Sequence, residues 1–132
     1  MREYKFRAWD KRKEKFRDDV YIDSDGNLYE FSKKTGYGTA ISYLNDEYID
    51  VTQYTGLVDI NGKEIYEGDI VKNTTQQSYL GQTYEVTWNE NWACYQLMDN
   101  GLTSNIPLSQ DFMSYEVIGN IYENPELIKG RQ

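Results

Sequence analysis

Histidine is absent from the 132-residue sequence, and its absence narrows the chemistry open to the chain. Without an imidazole there is no Ser-His or Cys-His nucleophile pair, no histidine metal ligand and no histidine general base. Most hydrolase mechanisms depend on one of these groups. We therefore predict that the protein is not an enzyme and that it uses neither a metal ion nor another cofactor.

Cysteine and long apolar runs are also scarce. Cys94 is the single cysteine, so the chain cannot form an internal disulfide or hold zinc between paired cysteines. Because Cys94 lies in an apolar segment, we expect a small buried hydrophobic residue rather than a reactive thiol. No apolar run is long enough for a signal peptide or a membrane span. These features predict a cytoplasmic protein that does not bind membranes.

Positive charge is limited except near the N-terminus. The net charge is −8, which disfavours general nucleic-acid binding because that affinity depends mainly on Lys and Arg at phosphates. Residues 1–17 nevertheless contain eight Lys or Arg and three Asp or Glu, whereas residues 18–132 contain six and nineteen. The first segment therefore has a net charge of +5 and the remainder −13, so the N-terminal segment is suited to contact an acidic surface.

Aromatic residues, by contrast, are abundant. Thirteen Tyr, three Trp and four Phe supply apolar area that the mean hydropathy of −0.81 conceals. Apolar and polar residues alternate with a period of two, beginning with Tyr4, Phe6 and Ala8, as in strands with one buried face. We predict an all-β, helix-poor fold, a barrel or sandwich of short antiparallel strands with the aromatic residues packed inside.

Turn residues separate the predicted strands. Asp25-Gly26 and Asn61-Gly62 each predict a hairpin. Residues 89–91 predict a three-residue hairpin loop that pairs Trp88 with Trp92 across two strands. The other predicted elements are a strand or short helical turn at 40–44, a mobile loop at 73–82, one helical turn at 107–113, a last strand at 115–122 and a short C-terminal helix after Asn124 and Pro125.

Three segments resemble the signature blocks of the YopX family: FRAWDK at 6–11, YTGLVDINGKEIYEGDIV at 54–71 and EVIGNIYENPEL at 116–127. The resemblance implies a bacteriophage or prophage origin, mainly in Gram-positive bacteria, and a β-rich, barrel-like fold. It carries over no catalytic or binding residues. Residues 67–71 are similar to the strand entry of SH3-like barrels. We predict one YopX-like domain over 1–132, with a subdivision into 1–54, an SH3-like region at 55–123 and a tail at 124–132 as the alternative.

Acidic residues alone support glycoside hydrolysis when two of them are suitably separated, and Glu67 and Asp69 are the first such pair to test. Solvated surface carboxylates are the plainer interpretation of that pair. Residues 23–27 resemble a calcium loop only faintly, because an EF-hand needs its glycine at the sixth position. Residues 36–41 begin like a dinucleotide-binding loop but lack the third glycine and the flanking strand and helix. We expect neither ligand.

The N-terminal cluster is the candidate interaction patch, because aromatic side chains can stack on bases while cations follow phosphates. A solvated hairpin loop is the simpler interpretation, and docking on the acidic surface of a second copy is a further one. The patch comprises Phe6, Arg7, Trp9, Lys11, Arg12, Lys13, Lys15 and Arg17.

Our leading hypothesis from the sequence is a phage-encoded, non-catalytic protein-interaction module that self-associates as a homo-oligomer. The alternative is a nucleic-acid-binding protein that uses the basic, aromatic N-terminal hairpin. A hydrolase that acts through paired carboxylates is the third hypothesis.

Overall fold

The computed structural model describes residues 3–31, 40–43, 47–74, 82–99, 102–108 and 115–129. Within these ranges the chain forms twelve strands and one short helix, which confirms the predicted all-β, helix-poor class. In the same ranges no helix is long and apolar enough to cross a membrane. The elements are β1 (Phe6–Asp10), β2 (Lys15–Arg17), β3 (Val20–Ile22), β4 (Leu28–Phe31), β5 (Ala40–Tyr43), β6 (Ile49–Val58), β7 (Glu64–Tyr66), β8 (Asp69–Asn73), β9 (Thr83–Asn89), β10 (Cys94–Asp99), β11 (Leu102–Pro107), β12 (Tyr115–Asn120) and α1 (Glu126–Lys129).

The chain divides into two compact units. The small unit is Phe6–Val51, and the large unit combines Met1–Lys5 with Thr52–Gln132. The division falls inside β6, whose first three residues belong to the small unit.

The small unit contains two sets of antiparallel strands. β1 has β2 on one side and β6 on the other, and β4 lies between β3 and β5. Ala8, Leu28 and Ile49 form a buried cluster against which Val20 and Ile22 pack. The alternation in β3 is the reason, because Val20 and Ile22 face this cluster while the residue between them is exposed.

Asp23 organises the turn between β3 and β4. Its carboxylate Oδ1 accepts the N–H groups of Asp25, at 3.0 Å, and Asn27, at 2.8 Å. Gly26 has a φ of +87°, a left-handed conformation that glycine adopts without a Cβ penalty. The register Ile22 opposite Leu28 confirms the hairpin predicted from Asp-Gly.

The large unit is built around a five-stranded antiparallel sheet in the order β11-β10-β9-β8-β12. One face carries the buried Tyr84 and Val86 of β9, and Val86 lies directly opposite Leu97 of β10. The buried core of this unit comprises Ile65, Val71, Tyr84, Val86, Leu97 and Tyr115.

The predicted Asn-Gly hairpin joins β6 to β7 and is confirmed by the pairing of Val58 with Glu64. Asp59 Oδ1 accepts the N–H groups of Asn61 and Lys63, both at 2.8 Å. Its Oδ2 accepts the N–H of Val117 in β12 at 2.9 Å. This one carboxylate therefore connects the turn to the edge of the five-stranded sheet.

The C-terminal elements also follow the prediction. β12 ends at Asn120, whose Oδ1 accepts the N–H groups of Tyr122 and Glu123. A single helical turn, α1, comes directly after Asn124 and Pro125, as their capping preferences predicted.

The structure decides some of the remaining predictions, and others fall outside the described residues. The ambiguous segment at 40–44 is a strand over Ala40–Tyr43. Tyr4 and Phe6 are exposed although the alternation predicted that they share a buried face with Ala8. Most of the loop at 73–82, the helical turn at 107–113 and the glycine-rich loop at 36–41 lies outside the described residues.

The predicted pairing of Trp88 with Trp92 is wrong. Trp88 lies opposite Tyr95, and their rings pack edge to face with centroids 4.9 Å apart. The turn is longer than predicted, because β10 begins at Cys94 and Ala93 adopts a left-handed φ of +51°. Trp92 therefore sits in the turn, where its side chain is exposed.

Candidate functional site

The predicted patch lies on the basic hairpin, the name used here for β1, β2 and their turn (Phe6–Arg17). Trp9 pairs with Phe16 and Asp10 with Lys15. The turn is fixed by Asp10, whose Oδ1 accepts the N–H groups of Arg12 and Lys13 at 2.9 and 3.0 Å. Because these hydrogen bonds between backbone N–H groups and the Asp10 carboxylate define the turn, the side chains at its tip are not needed to stabilise it.

Arg17 is directed inward rather than outward. Its side chain is 7 % exposed and its guanidinium lies among three carboxylates of the small unit. It donates to Asp19 Oδ2 at 2.7 Å, to Glu30 Oε1 at 2.6 Å and to Asp10 Oδ2 at 3.4 Å. This arrangement neutralises a buried cation, so Arg17 belongs to the framework of the unit.

The same contacts set the protonation of the acidic partners. Burial opposes ionisation of Asp10, but the N–H groups of Lys13 and Arg12 and the charge of Arg17 outweigh it and lower its pKa. The hydrogen bond from Arg17 lowers the pKa of Asp19 in the same way, against the effect of burial. Asp10 thus acts both on the turn and on the buried cation.

The cations at the tip of the hairpin are exposed. Lys11 Nζ lies 3.1 Å from Asp50 Oδ1, and the guanidinium of Arg12 stands 4.2 Å from the centroid of the Tyr48 ring. Lys13 and Lys15 make no ion pair with an acidic group of the described residues. Three exposed cations therefore lie in one fixed turn beside the exposed Glu14, and a fourth, Lys15, follows at the start of β2.

The aromatic members of the patch differ in accessibility. Trp9 is 8 % exposed and packs edge to face on Phe16, with centroids 4.9 Å apart. Arg7 is half-buried, with its guanidinium 4.9 Å from the centroid of Phe16. Phe6 is 50 % exposed. The structure thus brings Phe6, Lys11, Arg12, Lys13 and Lys15 to the surface and places Trp9 and Arg17 inside.

A second surface was not predicted. The tryptophan hairpin, defined as β9, β10 and their turn (Thr83–Asp99), exposes 43 % of Trp88 and 62 % of Trp92. Asn89 Oδ1 accepts the N–H groups of Asn91 and Trp92, which fixes the turn. From the sequence, Trp88 and Trp92 were predicted to pair across two strands, and neither was predicted to belong to an interaction surface. The sequence feature that indicates their exposure is the run of polar residues between them, Asn89, Glu90 and Asn91, because such residues are typical of a turn.

Of the carboxylate pair considered for hydrolysis, Glu67 lies in the turn between β7 and β8, and Asp69 is the first residue of β8. Asp69 is buried and its Oδ2 accepts the N–H of Tyr66 at 2.8 Å. Burial raises the pKa of Glu67 above its ordinary value. The loop at 23–27 is the hairpin turn described above. Within the described ranges, no three Cys, Asp or Glu side chains are grouped so that they would hold a metal ion.

Comparison with known proteins gives the family and the fold. The family description YopX protein matches residues 5–129. The crystal structure of protein EF1440 from Enterococcus faecalis is 25 % identical, with a TM-score of 0.63, covering 97 % of this chain and 99 % of that one. Protein yopX from Bacillus subtilis is 19 % identical, with a TM-score of 0.62 and full coverage of both chains. No curated protein matches the chain.

Proposed function

Since this chain belongs to the YopX protein family, matching it over residues 5–129, we propose that it is a phage- or prophage-encoded protein that acts by binding protein chains and that self-associates. Its proposed location is the bacterial cytoplasm, where a chain with a single cysteine has no need of disulfides. The proposal places no catalytic residue in the chain.

One observation carries the proposal: the preformed basic hairpin presents four exposed cations on a protein whose net charge is −8. Lys11, Arg12, Lys13 and Lys15 are exposed, while the Asp10 carboxylate holds the turn and Arg17 is neutralised internally. Opposite charges on two surfaces favour encounter and fix orientation. A strongly acidic second copy of the chain is therefore a suitable partner for the hairpin.

Light scattering at several salt concentrations tests self-association. We expect a mass above the 15.6 kDa of one chain at micromolar concentration and low salt. The mass should fall towards that of the monomer near 1 M salt, where the screening length is only about 3 Å. A chain that stays monomeric at every salt concentration contradicts the proposal.

Two lysines provide a matched pair of variants. Lys13 and Lys63 are both exposed in turns and donate their N–H groups to the capping carboxylates of Asp10 and Asp59. K13E and K63E change the net charge equally. We expect K13E to weaken self-association at least tenfold and K63E to have a much smaller effect, because only Lys13 lies on the basic hairpin.

Nucleic-acid binding is a second candidate, supported by the exposed Phe6 on the same hairpin as the four cations. It has less support, since Trp9 and Phe16 pack on each other. Fluorescence anisotropy with labelled single- and double-stranded DNA at low salt tests it, because the electrostatic contribution is then largest. Absence of binding there removes this candidate. Nuclease treatment before light scattering separates bridging by nucleic acid from direct contact between chains.

A further inference from the structure

We infer that the tryptophan hairpin of one copy is the surface that receives the basic hairpin of a second copy. The inference rests on the proposed self-association and adds to it the two surfaces in contact. Both are described above: the exposed indoles of Trp88 and Trp92 with Glu90 between them, and the cations at positions 11, 12, 13 and 15.

The tryptophan hairpin has the properties of a binding surface. Large exposed aromatic residues flanked by polar ones mark interaction sites on soluble proteins, and tryptophan contributes strongly to binding energy. Trp88 is oriented by its edge-to-face packing on Tyr95, and Asn89 fixes the turn that carries Trp92. A surface ordered in advance loses less conformational entropy on binding.

Charge identifies the partner. Residues 73–128 contain no Lys or Arg and seven Asp or Glu, and both exposed tryptophans lie within this segment. Indole faces attract ammonium and guanidinium groups, and Glu90 adds a negative charge beside them. Cations for this surface must therefore come from elsewhere, and the basic hairpin presents four of them.

The basic hairpin already uses aromatic faces within its own unit. The guanidinium of Arg12 stands 4.2 Å from the centroid of Tyr48, and that of Arg7 stands 4.9 Å from the centroid of Phe16. The same contact, a cation over an aromatic ring, can form between two copies. It joins two different surfaces, so a pair held by one such contact keeps one hairpin unoccupied on each copy, a tryptophan hairpin on one and a basic hairpin on the other. A reciprocal contact between these two closes a two-fold dimer, and contacts with further copies give a ring or a chain.

Charge reversal on each side tests the contact. K13E and E90K each place like charges against each other, so each variant alone should weaken self-association at least tenfold. An equimolar mixture of the two should regain association, because every contact in a mixed assembly then joins opposite charges or the original pair. Sedimentation velocity of each variant and of the mixture gives the comparison, with circular dichroism to verify that both are folded.

Truncation of the exposed indole is the second test. W92A removes a side chain that is 62 % exposed, and I60A removes one that is 55 % exposed outside the tryptophan hairpin. We expect W92A to raise the dissociation constant at least tenfold and I60A to change it less than threefold. A wild-type chain that never associates overturns the proposed function and this inference together. If the wild-type chain associates, and E90K and W92A self-associate as strongly as I60A, only the contact inferred here is overturned.

Discussion

Arg17 illustrates how single residues decide the stability of the small unit. A buried cation is tolerated because the carboxylates of Asp10, Asp19 and Glu30 surround it. Removing one partner of such a group leaves the other charges without compensation, which costs more than the net contribution of the intact group. We therefore expect the contribution of Arg17 to be seen mainly as a loss of folding stability when the residue is replaced.

R17M should lower the free energy of unfolding by about 3 kcal/mol at neutral pH, because three carboxylates lose their cation. K15M, on the same strand but exposed, should change it by less than about 0.5 kcal/mol. Urea unfolding measures both. Since Arg17 lowers the pKa of Asp19 and contributes to lowering that of Asp10, the difference between R17M and wild type should narrow as pH falls below about 4. Equal losses in the two variants would contradict this account.

Tyr115, unlike Arg17, carries a buried polar group that opposes folding. It is 4 % exposed, its buried hydroxyl has no hydrogen-bond partner among the residues that the structure describes, and burial raises its pKa to about 12. An unpaired buried hydroxyl costs about 1–3 kcal/mol. Y115F should therefore leave stability unchanged or raise it by up to about 1 kcal/mol. Y115A, which also removes the ring, should cost about 3–5 kcal/mol in the same urea titration. A clear loss in Y115F would indicate a partner for the hydroxyl.

Five turns of the described residues share one construction. At the end of a strand, an Asp or Asn side chain accepts hydrogen bonds from two N–H groups of the turn that follows. These N–H groups therefore have a partner although no neighbouring strand supplies one. The residues concerned are Asp10, Asp23, Asp59, Asn89 and Asn120.

The junction of β12 and α1 is a place where only glycine fits. A Cβ added to Gly119 would lie 2.5 Å from Asn124 Oδ1 and 2.9 Å from Leu127 Cδ1. Asn124 has little freedom to withdraw, because its Oδ1 accepts the N–H of Asn120. G119A should therefore cost about 1–3 kcal/mol in thermal or urea unfolding. Adding N124S, which shortens the opposing side chain, should recover part of that loss. No recovery would show that the contact is not the cause.

Turns that contain Asp-Gly or Asn-Gly were predictable from the sequence, and the turn after β9, which has a capping side chain but no glycine, was not. Gly26 and Gly62 both adopt a left-handed φ, so Asp-Gly and Asn-Gly located their hairpins correctly. The turn after β9 has no glycine, and its length depends on Asn89 accepting two N–H groups and on a left-handed Ala93. Nothing in the period-two pattern specifies that geometry, and for this reason the pairing of Trp88 was mispredicted.

The candidate site was predictable to a similar extent. The charge count located the basic segment, and hairpin formation followed from its alternation. Whether a cation faces outward or inward depends on acidic partners distant in sequence, such as Glu30 for Arg17. The exposure of Trp92 likewise follows from the turn and not from hydrophobicity. Sequence patterns therefore indicate where charge lies, while burial decides which charges are available to a partner.

At the scale of the whole molecule, ionised carboxylates favour the folded state. The pKa values of Asp10, Asp19, Asp23 and Asp59 are all lowered by hydrogen bonds or cations. An acid with a lowered pKa in the folded state stabilises it above the unfolded value of 3.8, and this contribution is lost as pH falls through the folded value. Glu67 has the opposite effect, since burial raises its pKa and protonation then favours folding.

The urea midpoint should therefore change little between pH 7 and pH 5 and fall between pH 5 and pH 3, because four aspartates outweigh one glutamate. D59N keeps an acceptor for the turn but removes one titrating group, so its decline over the same interval should be shallower. Circular dichroism at each pH provides the midpoints. A midpoint at pH 3 equal to or above that at pH 7 would be inconsistent with these pKa directions.

The Asp10 cap also has an evolutionary consequence. Because the Asp10 carboxylate accepts backbone N–H groups and so sets the path of the chain from Arg12 to Lys13, the side chains there can vary at little cost to folding. A few nucleotide changes would give descendants a neutral or acidic tip on the same scaffold. Divergence at these positions would then alter which molecules a homologue recognises long before it alters the architecture.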